Sequence, residues 1–351
     1  MPRSPSPSPQ RRPQADLNAT DAPAPHRIAV VIPCYKVRRH VLAVIEAIGP
    51  EVERIYAVDD CCPDGSGDLI ESQCADPRVR VLRHESNQGV GGAVMTGYAE
   101  AIVEGFTIAV KIDGDGQMDP RLLPLFARPI LDGRADYTKG NRFYDLSQIQ
   151  RMPALRLIGN AGLSFLSKLS TGYWNLFDPT NGYTAIATRV AAHLPLERVS
   201  RRYFFETDLL FRLNIARAAV LDVPMDAVYA DEESNLRIGK IFGEFLGKHI
   251  RNFCKRVFYS YFLRDMSAAS LELAFGAALI AFGLGFGSWK WIESIHSGVA
   301  TPAGTVMLAA LPVIVGLQFL LAFVSFDVAS VPTRAIAPFL SVPARWRRPN
   351  E

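Results

Sequence analysis

From residue 27 to about residue 112 the chain alternates short, continuously apolar runs with segments of helical periodicity. Ile28 to Pro33 is an apolar, β-branched run, typical of a strand buried on both faces, and Ile55 to Val58 is the next such run. Between them, residues 41–48 carry an apolar stripe at helical spacing that Gly49-Pro50 ends. Repetition of this order predicts an α/β fold with a doubly wound, mostly parallel sheet.

The pattern beyond the first unit extends the same alternation. The elements that it predicts are a short helix at residues 68–74, a strand at 79–82, a helix at 91–105 and a strand at 106–112. Residues 136–231 are less regular, with a strand at 183–187 and a helix at 206–218, and we expect them to complete the same domain. Such sheets bind ligands beyond the carboxyl ends of their strands.

The segment from residue 238 to residue 263 places apolar side chains at helical spacing with basic residues interspersed. Lys240, Lys248, Arg251 and Lys255 are among these basic residues. An amphipathic helix of this composition fits the plane of an anionic membrane surface. We therefore expect an interfacial helix here.

Two later segments are long and apolar enough to span a bilayer, which takes roughly 20 apolar residues. They cover residues 268–289 and 306–326. Few charges lie between them, whereas arginines precede and follow the pair, so the positive-inside rule places both ends and the folded domain in the cytoplasm. The sequence thus predicts a multi-pass protein of the cell (inner) membrane, and the alternative is a buried hairpin of a soluble protein. Paired spanning helices often associate, which leaves room for a homo-oligomer.

Composition adds limits to this picture. Hydrophobic residues make up 49% and charged residues 21% of the 351 residues, which excludes disorder throughout the chain. A net charge of +3 is too balanced for a nucleic-acid-binding protein without a clustered patch. The five cysteines follow no zinc-ligand spacing and indicate a reducing compartment, with Cys61 and Cys62 expected to be small buried fillers.

These observations divide the chain into five predicted parts. They are a disordered tail at 1–26, a folded domain at 27–237, juxtamembrane amphipathic helices at 238–264, a two-helix transmembrane hairpin at 265–330 and a cytoplasmic tail at 331–351.

Two groups of carboxylates follow predicted strands. Asp113 and Asp115 come after one strand, with glycines between and after them, and Asp59 and Asp60 follow another. Hard oxygen ligands suit Mg²⁺ or Mn²⁺, which in turn bridges a diphosphate. Aspartates in this position also serve simply as turn residues, which is the alternative for either group alone.

An ordered series of motifs from Arg27 to Lys240 resembles the family 2 glycosyltransferases with the GT-A fold, and among them the polyprenyl-phosphate sugar synthases. The motifs are Ile32-Pro-Cys-Tyr35, Val58-Asp-Asp60 with Asp64-Gly-Ser66, Asn87-Gln-Gly89 with Gly91-Gly92, Asp113-Gly-Asp115-Gly-Gln117, Gly140-Asn-Arg142, Asp178-Pro-Thr-Asn-Gly-Tyr183 and Phe204-Phe-Glu-Thr-Asp-Leu-Leu210. The resemblance implies a metal-dependent, inverting hexosyltransferase that moves a sugar from a UDP- or GDP-sugar to a polyprenyl phosphate at the cytoplasmic membrane face, for cell-envelope glycan or glycoconjugate synthesis.

The resemblance also implies roles for individual residues. The donor nucleotide would be bound by Pro33, Tyr35, Asp59, Asp60, Gly89 and Asp113. The metal, Mg²⁺ or Mn²⁺, would be held by Asp113, Asp115 and Gln117. The catalytic set would be Asp115, Arg142, Glu206 and Asp208. The lipid phosphate would be met by Arg142, Ser234, Arg237 and Lys240.

This chain departs from the family pattern at two places. Lys36-Val37 stand where the family usually has Asn-Glu, and Cys61-Cys62 replace the common Gly-Ser. Three other functions stay open from the residues: a family 2 enzyme with a glycolipid or polysaccharide acceptor, a non-catalytic membrane-anchored partner of another transferase, and a nucleotidyltransferase or sugar-nucleotide dehydrogenase. The dehydrogenase would need G-x-G-x-x-G after the first strand, and Pro33 to Lys36 contain no glycine.

Overall fold

A computed structural model describes residues 26–144, 154–178, 181–225 and 238–347 of the chain. Side chains are described throughout these ranges except at 154–158, 160 and 238–242.

The described residues form one seven-stranded sheet with the strand order β3-β2-β1-β4-β6-β5-β7. The strands are β1 Ile28–Cys34, β2 Arg54–Asp59, β3 Val79–Arg83, β4 Ile108–Lys111, β5 Tyr137–Asn141, β6 Thr184–Ala187 and β7 Val220–Pro224. Only β6 runs against its neighbours, pairing antiparallel with both β4 and β5. The prediction of a mostly parallel α/β sheet is confirmed, and the apolar run of β1 is buried along its whole length because helices cover both faces.

The helices of the soluble part are α1 Val41–Glu46, α2 Ser66–Gln73, α3 Val90–Val103, α4 Leu123–Leu131, α5 Ala154–Thr171, α6 Thr188–Ala191 and α7 Phe205–Ile215, with 3₁₀ turns at Pro120–Leu122 and Leu196–Arg198. Four of them, α1, α2, α3 and α7, match predicted helices with shifted ends, whereas α4, α5 and α6 were not predicted. α7 is shorter than the predicted helix 206–218 because Arg217 takes a left-handed backbone conformation, with φ +63°, that ends it.

A second group of helices follows the sheet. α8 spans Ile238–Val257, a π-helical turn covers Phe258–Arg264, and α9 Ala268–Ser297 and α10 Ala303–Ala329 form the hairpin. The single amphipathic helix predicted for 238–263 therefore ends at Val257, and the π-helical turn replaces its last residues.

The two hairpin helices are longer than predicted and mostly exposed. They have 30 and 27 residues, and their most apolar windows have mean hydropathies of 1.8 and 2.4, so both are long and apolar enough to cross a membrane. Only 22% and 11% of those windows is buried within the protein, whereas the core helix of a soluble protein would be covered. Small residues hold them together: a side chain at Gly283 would meet Val313, and one at Gly316 would meet Ile280.

An ion pair buried at the base of the hairpin ties it to the rest of the molecule. Arg256, at the end of α8, donates to both carboxylate oxygens of Asp327, near the end of α10, at 2.6 and 2.9 Å. Trp174, which follows α5, donates its indole N–H to Asp327 at 2.8 Å, and the Tyr261 hydroxyl donates to the same carboxylate. Four hydrogen bonds thus join α8, the π-helical turn and the segment after α5 to one hairpin helix.

The segment after the hairpin returns to the sheet domain. The backbone N–H groups of Ile336 and Ala337 donate to the buried carboxylate of Asp136, just before β5. Further on, the Trp346 indole and Arg345 donate to the carbonyl oxygen of Ala192. Residues 331–346, predicted as part of a tail, therefore pack against the domain at the amino ends of the strands.

Candidate functional site

Three strand ends meet at one edge of the sheet. β1 lies between β2 and β4, and Cys34 at the end of β1 pairs in register with Asp59 at the end of β2. A side chain at Gly114, just beyond β4, would come within 3.1 Å of Val37, which follows β1. The loops that carry Asp59 and Asp113 thus flank the end of β1, where open α/β sheets bind ligands.

Asp113 is held in place by a lysine from its own strand. The Lys111 ammonium, almost fully buried at the end of β4, lies 2.7 Å from Asp113 Oδ1. A side chain at Gly182 would collide with that ammonium and would come within 2.7 Å of Asp113 Oδ2. A larger residue at position 182 would therefore displace this ion pair from its present position.

Lys111 belongs to a buried group of charges behind the strand ends. Its ammonium also lies 3.9 Å from the Glu206 carboxylate, at the start of α7. Lys139 of β5 donates to the carbonyl oxygen of Asn181. Burial raises the pKa of Glu206 to about 7 and lowers the pKa of Lys139 to about 8. Sequence reasoning missed both lysines, although a lysine within an apolar strand is itself a signal because burying an unpaired charge is costly.

The loop after β4 offers oxygen ligands at its surface. Asp115 Oδ1 accepts the backbone N–H of Gln117 at 3.0 Å, and the side chains of Asp113 and Asp115 are partly exposed. The described residues contain no group of three or more His, Cys, Asp or Glu side chains arranged for a metal ion. Asp113, Asp115 and Gln117 carry two carboxylates and an amide oxygen, which are the ligand types that suit Mg²⁺ or Mn²⁺.

The adjacent aspartates after β2 have different environments. Asp59 accepts the backbone N–H of Cys62 at 2.8 Å and lies 3.5 Å from the Arg83 guanidinium. Asp60 is 2% exposed and accepts the backbone N–H groups of Gln88 and Gly89, both at 2.7 Å. The structure therefore directs Asp60 towards the loop before α3, and we assign it to holding that loop.

His84 completes the contacts of Asp60. Its Nδ1 lies 2.7 Å from Asp60 Oδ1, and its Nε2 lies 2.9 Å from the Thr96 hydroxyl. No spacing along the chain links His84 to other residues, and the pairing of β2 with β3 brings it beside Asp60.

The interpretation of Cys61 and Cys62 as buried fillers is wrong. Cys61 is exposed and has a left-handed backbone, with φ +52°, and Cys62 is partly exposed. The Cys62 sulfur accepts the backbone N–H of Lys36 at 3.1 Å, so the residue links the loop after β2 to the loop after β1. The Cys62 backbone N–H also donates to the Asp59 carboxylate, a contact that does not depend on the cysteine side chain.

The aromatic residue after β1 is accessible. Tyr35 is 44% exposed, whereas Pro33 is buried within β1. Lys36 has φ +61°, and its ammonium lies 5.7 Å from the centre of the Tyr35 ring. Tyr35 thus presents a ring face beside the strand ends, with a cation next to it.

Arg142 follows β5 and is partly exposed. Its Nε lies 2.8 Å from Asp178 Oδ2, and its Nη2 lies 3.2 Å from Asp178 Oδ1. Asp178 is fully buried, so this fork-to-fork pair fixes the direction of the guanidinium.

Glu206 and Asp208, two residues apart on α7, point in different directions because residues at that spacing do not share a helix face. Glu206 faces Lys111, as described above. Asp208 is 1% exposed and accepts from the Ser200 backbone, from Arg212 and from Asn252 of α8. Asp208 therefore joins α7 to α8, and Glu206 alone of the two faces the strand ends.

Of the four residues predicted to meet a lipid phosphate, only Arg142 has a described side chain. Ser234 and Arg237 lie outside the described residues. Lys240 lies in the first turn of α8, and its side chain is not among those described.

Comparisons with known proteins place this geometry in context. Residues 29–194 match the domain described as Glycosyl transferase family 2. A polyprenol monophosphomannose synthase of Mycolicibacterium smegmatis is 30% identical over 62% of this chain and 82% of the relative. A UDP-N-acetylglucosamine--dolichyl-phosphate N-acetylglucosaminyltransferase of Methanococcus voltae is 27% identical over 61% of this chain and 93% of the relative.

A solved structure shares the architecture. It is glucosyl-3-phosphoglycerate synthase of Mycobacterium tuberculosis in complex with Mn²⁺, UDP-glucose and glycerol 3-phosphate. The match has a TM-score of 0.50 and 19% identity, and it covers 70% of this chain and 86% of that chain. At this identity the likeness concerns the fold alone, and it confirms the GT-A architecture expected from the sequence.

Proposed function

We propose, from the premise that this chain belongs to glycosyl transferase family 2, that it transfers a hexose from a nucleotide-diphosphate sugar to a polyprenyl phosphate at the cytoplasmic face of the membrane. The family and the relatives imply a hexosyltransferase, and the relatives are named for polyprenyl phosphate acceptors. The observation that carries the proposal is the placement of Asp59 and Asp113 on either side of the end of β1, in a chain that also has a membrane hairpin.

The donor would occupy the edge formed by the ends of β1, β2 and β4. Tyr35 offers a ring face to the nucleotide base, and Asp59, 5% exposed at the end of β2, would accept a hydrogen bond from the base or ribose. Asp60 acts indirectly, because it holds Gly89 and the loop before α3. Gly89 needs its φ of +83°, and a side chain there would collide with the backbone of Arg201, so the loop approaches the neighbouring segment closely.

Asp113 and Asp115, with Gln117, would hold a divalent metal, which when bound neutralises the charge that develops on a departing diphosphate. Lys111 fixes the Asp113 carboxylate and adds a positive charge at this edge. The solved structure of the same fold contains Mn²⁺ and UDP-glucose, which supports the proposal.

The transfer itself is a displacement at the anomeric carbon. A lipid phosphate oxygen forms a new bond to the anomeric carbon. The bond between the anomeric carbon and the diphosphate oxygen breaks at the same time, and the nucleoside diphosphate leaves with that electron pair. Direct attack inverts the configuration, so an α-linked donor yields a β-linked lipid-phosphate sugar. The attacking phosphate is already anionic and needs little deprotonation, so Glu206 orients groups and Arg142 offers its guanidinium to a phosphate.

The membrane elements account for a lipid acceptor. α8 is basic and amphipathic and leads directly to the hairpin, so it suits the anionic membrane surface where a lipid phosphate is presented. The acceptor distinguishes this proposal from a family 2 enzyme that makes a soluble or polymeric product.

A transfer assay tests the proposal. Membranes containing the full chain are incubated with a panel of labelled UDP- and GDP-sugars and with polyprenyl phosphate. We expect label in a mild-acid-labile product that extracts into organic solvent, for one sugar of the panel. Label found only in a water-soluble polymer would refute the lipid acceptor.

The membrane face needs its own experiment. An impermeant maleimide is applied to intact cells carrying Ser297→Cys, at the end of α9, in a chain whose exposed Cys61 and Cys254 are replaced by serine. We expect labelling of Ser297→Cys without permeabilisation. A chain that has Cys61 as its one exposed cysteine, without Ser297→Cys, should be labelled only after permeabilisation. The opposite pattern would place the domain on the outer side.

A further inference from the structure

A cavity of about 210 Å³ lies where the hairpin joins the sheet domain. We call it the junction pocket. Its lining residues are Gly172, Asn214, Arg217, Arg256, Ser260, Tyr261, Arg264, Asp265, Ser267, Phe326, Asp327 and Ser330. They come from the ends of α5 and α7, the end of α8, the π-helical turn, the start of α9 and the end of α10.

The pocket is separate from the proposed donor site. Arg217 immediately precedes β7, which runs parallel to β5, so this lining residue lies at the amino ends of the strands. Glu206 starts α7 at the opposite edge, and Asn214 lies near the end of that 11-residue helix. A helix of this length spans about 16 Å, so the two sites are roughly one helix length apart.

The lining of the pocket keeps a net positive charge when its arginines and aspartates are counted in pairs. Three arginines and two aspartates line it. The Asp327 carboxylate accepts hydrogen bonds from Arg256, Tyr261 and Trp174. Asp265 pairs with the Nε of Arg264 at 3.1 Å. Among the described residues Arg217 forms no ion pair; its Nη1 donates to the Ser330 carbonyl oxygen at 2.8 Å. One positive charge therefore remains without a carboxylate partner.

The position of the pocket at the membrane surface favours a ligand that comes from the membrane. Ser267 caps the start of α9, and Ser330 follows the end of α10, so the lining lies where both hairpin helices leave the apolar layer. Phe258, Tyr259 and Met266 beside it are 53%, 49% and 75% exposed, as expected of side chains at the headgroup level. Basic pockets beside membrane helices on the cytoplasmic side bind anionic lipid headgroups.

We propose that the junction pocket binds the headgroup phosphate of an anionic phospholipid, with Arg217 as its main contact. Arg264 is a secondary contact, because its nitrogens already donate to Asp265, Ser260 and the Ile215 carbonyl oxygen. A zwitterionic headgroup also carries a cation, which would need a carboxylate partner in the pocket. Both lining carboxylates already pair with arginines, so an anionic headgroup fits better than a zwitterionic one. The π-helical turn supports the assignment because it supplies Ser260, Tyr261 and Arg264 to the pocket, and π-helical turns are frequent at functional sites.

Lipid titration of the purified full-length protein tests this proposal. Phosphatidylglycerol or phosphatidylcholine is added in detergent, and bound lipid is counted by native mass spectrometry. We expect the wild type to retain phosphatidylglycerol in preference to phosphatidylcholine. Arg217→Gln should weaken phosphatidylglycerol binding about tenfold, as the loss of one charged hydrogen bond does, and Arg264→Gln should weaken it less.

Controls separate the site from general basicity and from folding. Arg128→Gln, at an exposed arginine of α4 outside the pocket, should bind phosphatidylglycerol as the wild type does. Unfolding temperatures without lipid show that each variant is folded; Arg217 is exposed, so its variant decides the question if the Arg264 variant fails to fold. Equal losses for Arg128→Gln and Arg217→Gln would overturn the proposal.

A further arm distinguishes a lipid from free phosphate. Inorganic phosphate at concentrations equal to the lipid should leave phosphatidylglycerol bound. Displacement at equal concentration would assign the pocket to free phosphate and overturn the lipid assignment. Sugar transfer is not the readout in any arm, so failure here is distinct from failure of the proposed function.

Discussion

The Lys111 ammonium and Asp113 Oδ1 are 2.7 Å apart, and the lysine reaches this aspartate from inside the sheet. The same ammonium faces Glu206, so its removal leaves two carboxylates without the cation between them. Lys111→Met keeps most of the volume and removes the charge. We expect nucleotide binding in the presence of Mn²⁺, measured by calorimetry, to weaken about tenfold or more.

The matched control for this variant is Lys255→Met, at an exposed lysine of α8. Steady-state kinetics adds a second criterion, because loss of donor contacts raises the donor KM whereas a folding defect lowers the amount of active protein. Unchanged nucleotide affinity in a folded Lys111→Met protein would contradict the assigned role.

The second prediction concerns the proposed metal ligands. Asp115→Ala should reduce sugar transfer by at least about a hundredfold, because charge stabilisation at the leaving group is worth several kcal/mol. A chelator should have the same effect on the wild type, and Mn²⁺ or Mg²⁺ should restore it. Asp119→Ala is the control, since that side chain caps the next turn and pairs with Arg121 at the surface. Transfer that persists in Asp115→Ala or in chelator would exclude this metal site.

The third prediction is a pH dependence of stability. Burial raises the pKa of Glu206 from its ordinary 4.5 to about 7, so the folded protein binds a proton more tightly than the unfolded chain. The stability gained in this way is fully present below pH 4.5 and is lost as the pH rises through about 7. It amounts to at most about 3 kcal/mol.

Glu206→Gln tests this directly. Unfolding temperatures of wild type and variant are measured in detergent from pH 4.5 to 7.5. The unfolding temperature of the wild type should fall more steeply with rising pH than that of the variant. Part of the slope stays in the variant because burial also raises the pKa of Asp222, to about 6. Parallel curves for the two proteins would contradict a raised pKa at Glu206.

The fourth prediction concerns the joint between hairpin and domain. Asp327→Asn leaves the buried charge of Arg256 without its counterion, which typically costs about 3–5 kcal/mol, so the unfolding temperature should fall sharply. The double variant Arg256→Met/Asp327→Leu should recover only part of this loss, because the apolar pair needs no desolvation but the Tyr261 hydroxyl and the Trp174 indole lose their acceptor.

The exposed pair Glu244 and Lys248 of α8 is the control for that experiment. Its charges are 2.7 Å apart, yet Glu244→Gln should leave the unfolding temperature nearly unchanged, because water screens exposed ion pairs. An equal effect of Asp327→Asn and Glu244→Gln would show that the joint does not depend on the buried pair.

The sequence alone determined the alternation of strands and helices up to β4, the hairpin and the motif residues at the strand ends, but not β5, β7 or the helices α4 to α6. Those features depend on local properties: the apolar run of β1, the long apolar segments and the aspartates at positions 113 and 115 are visible without any knowledge of distant contacts. Helix ends were less accurate, as the early end of α7 at Ile215 illustrates.

The tertiary structure decided which of these residues can act. Asp59 and Asp60 are neighbours in sequence, but the pairing of β2 with β3 turns Asp60 inward to His84 and the loop before α3. Arg256 and Asp327 are 71 residues apart and meet only because the hairpin returns to its starting point. Burial and partners of this kind depend on contacts between distant segments, which a periodic pattern along the chain does not contain.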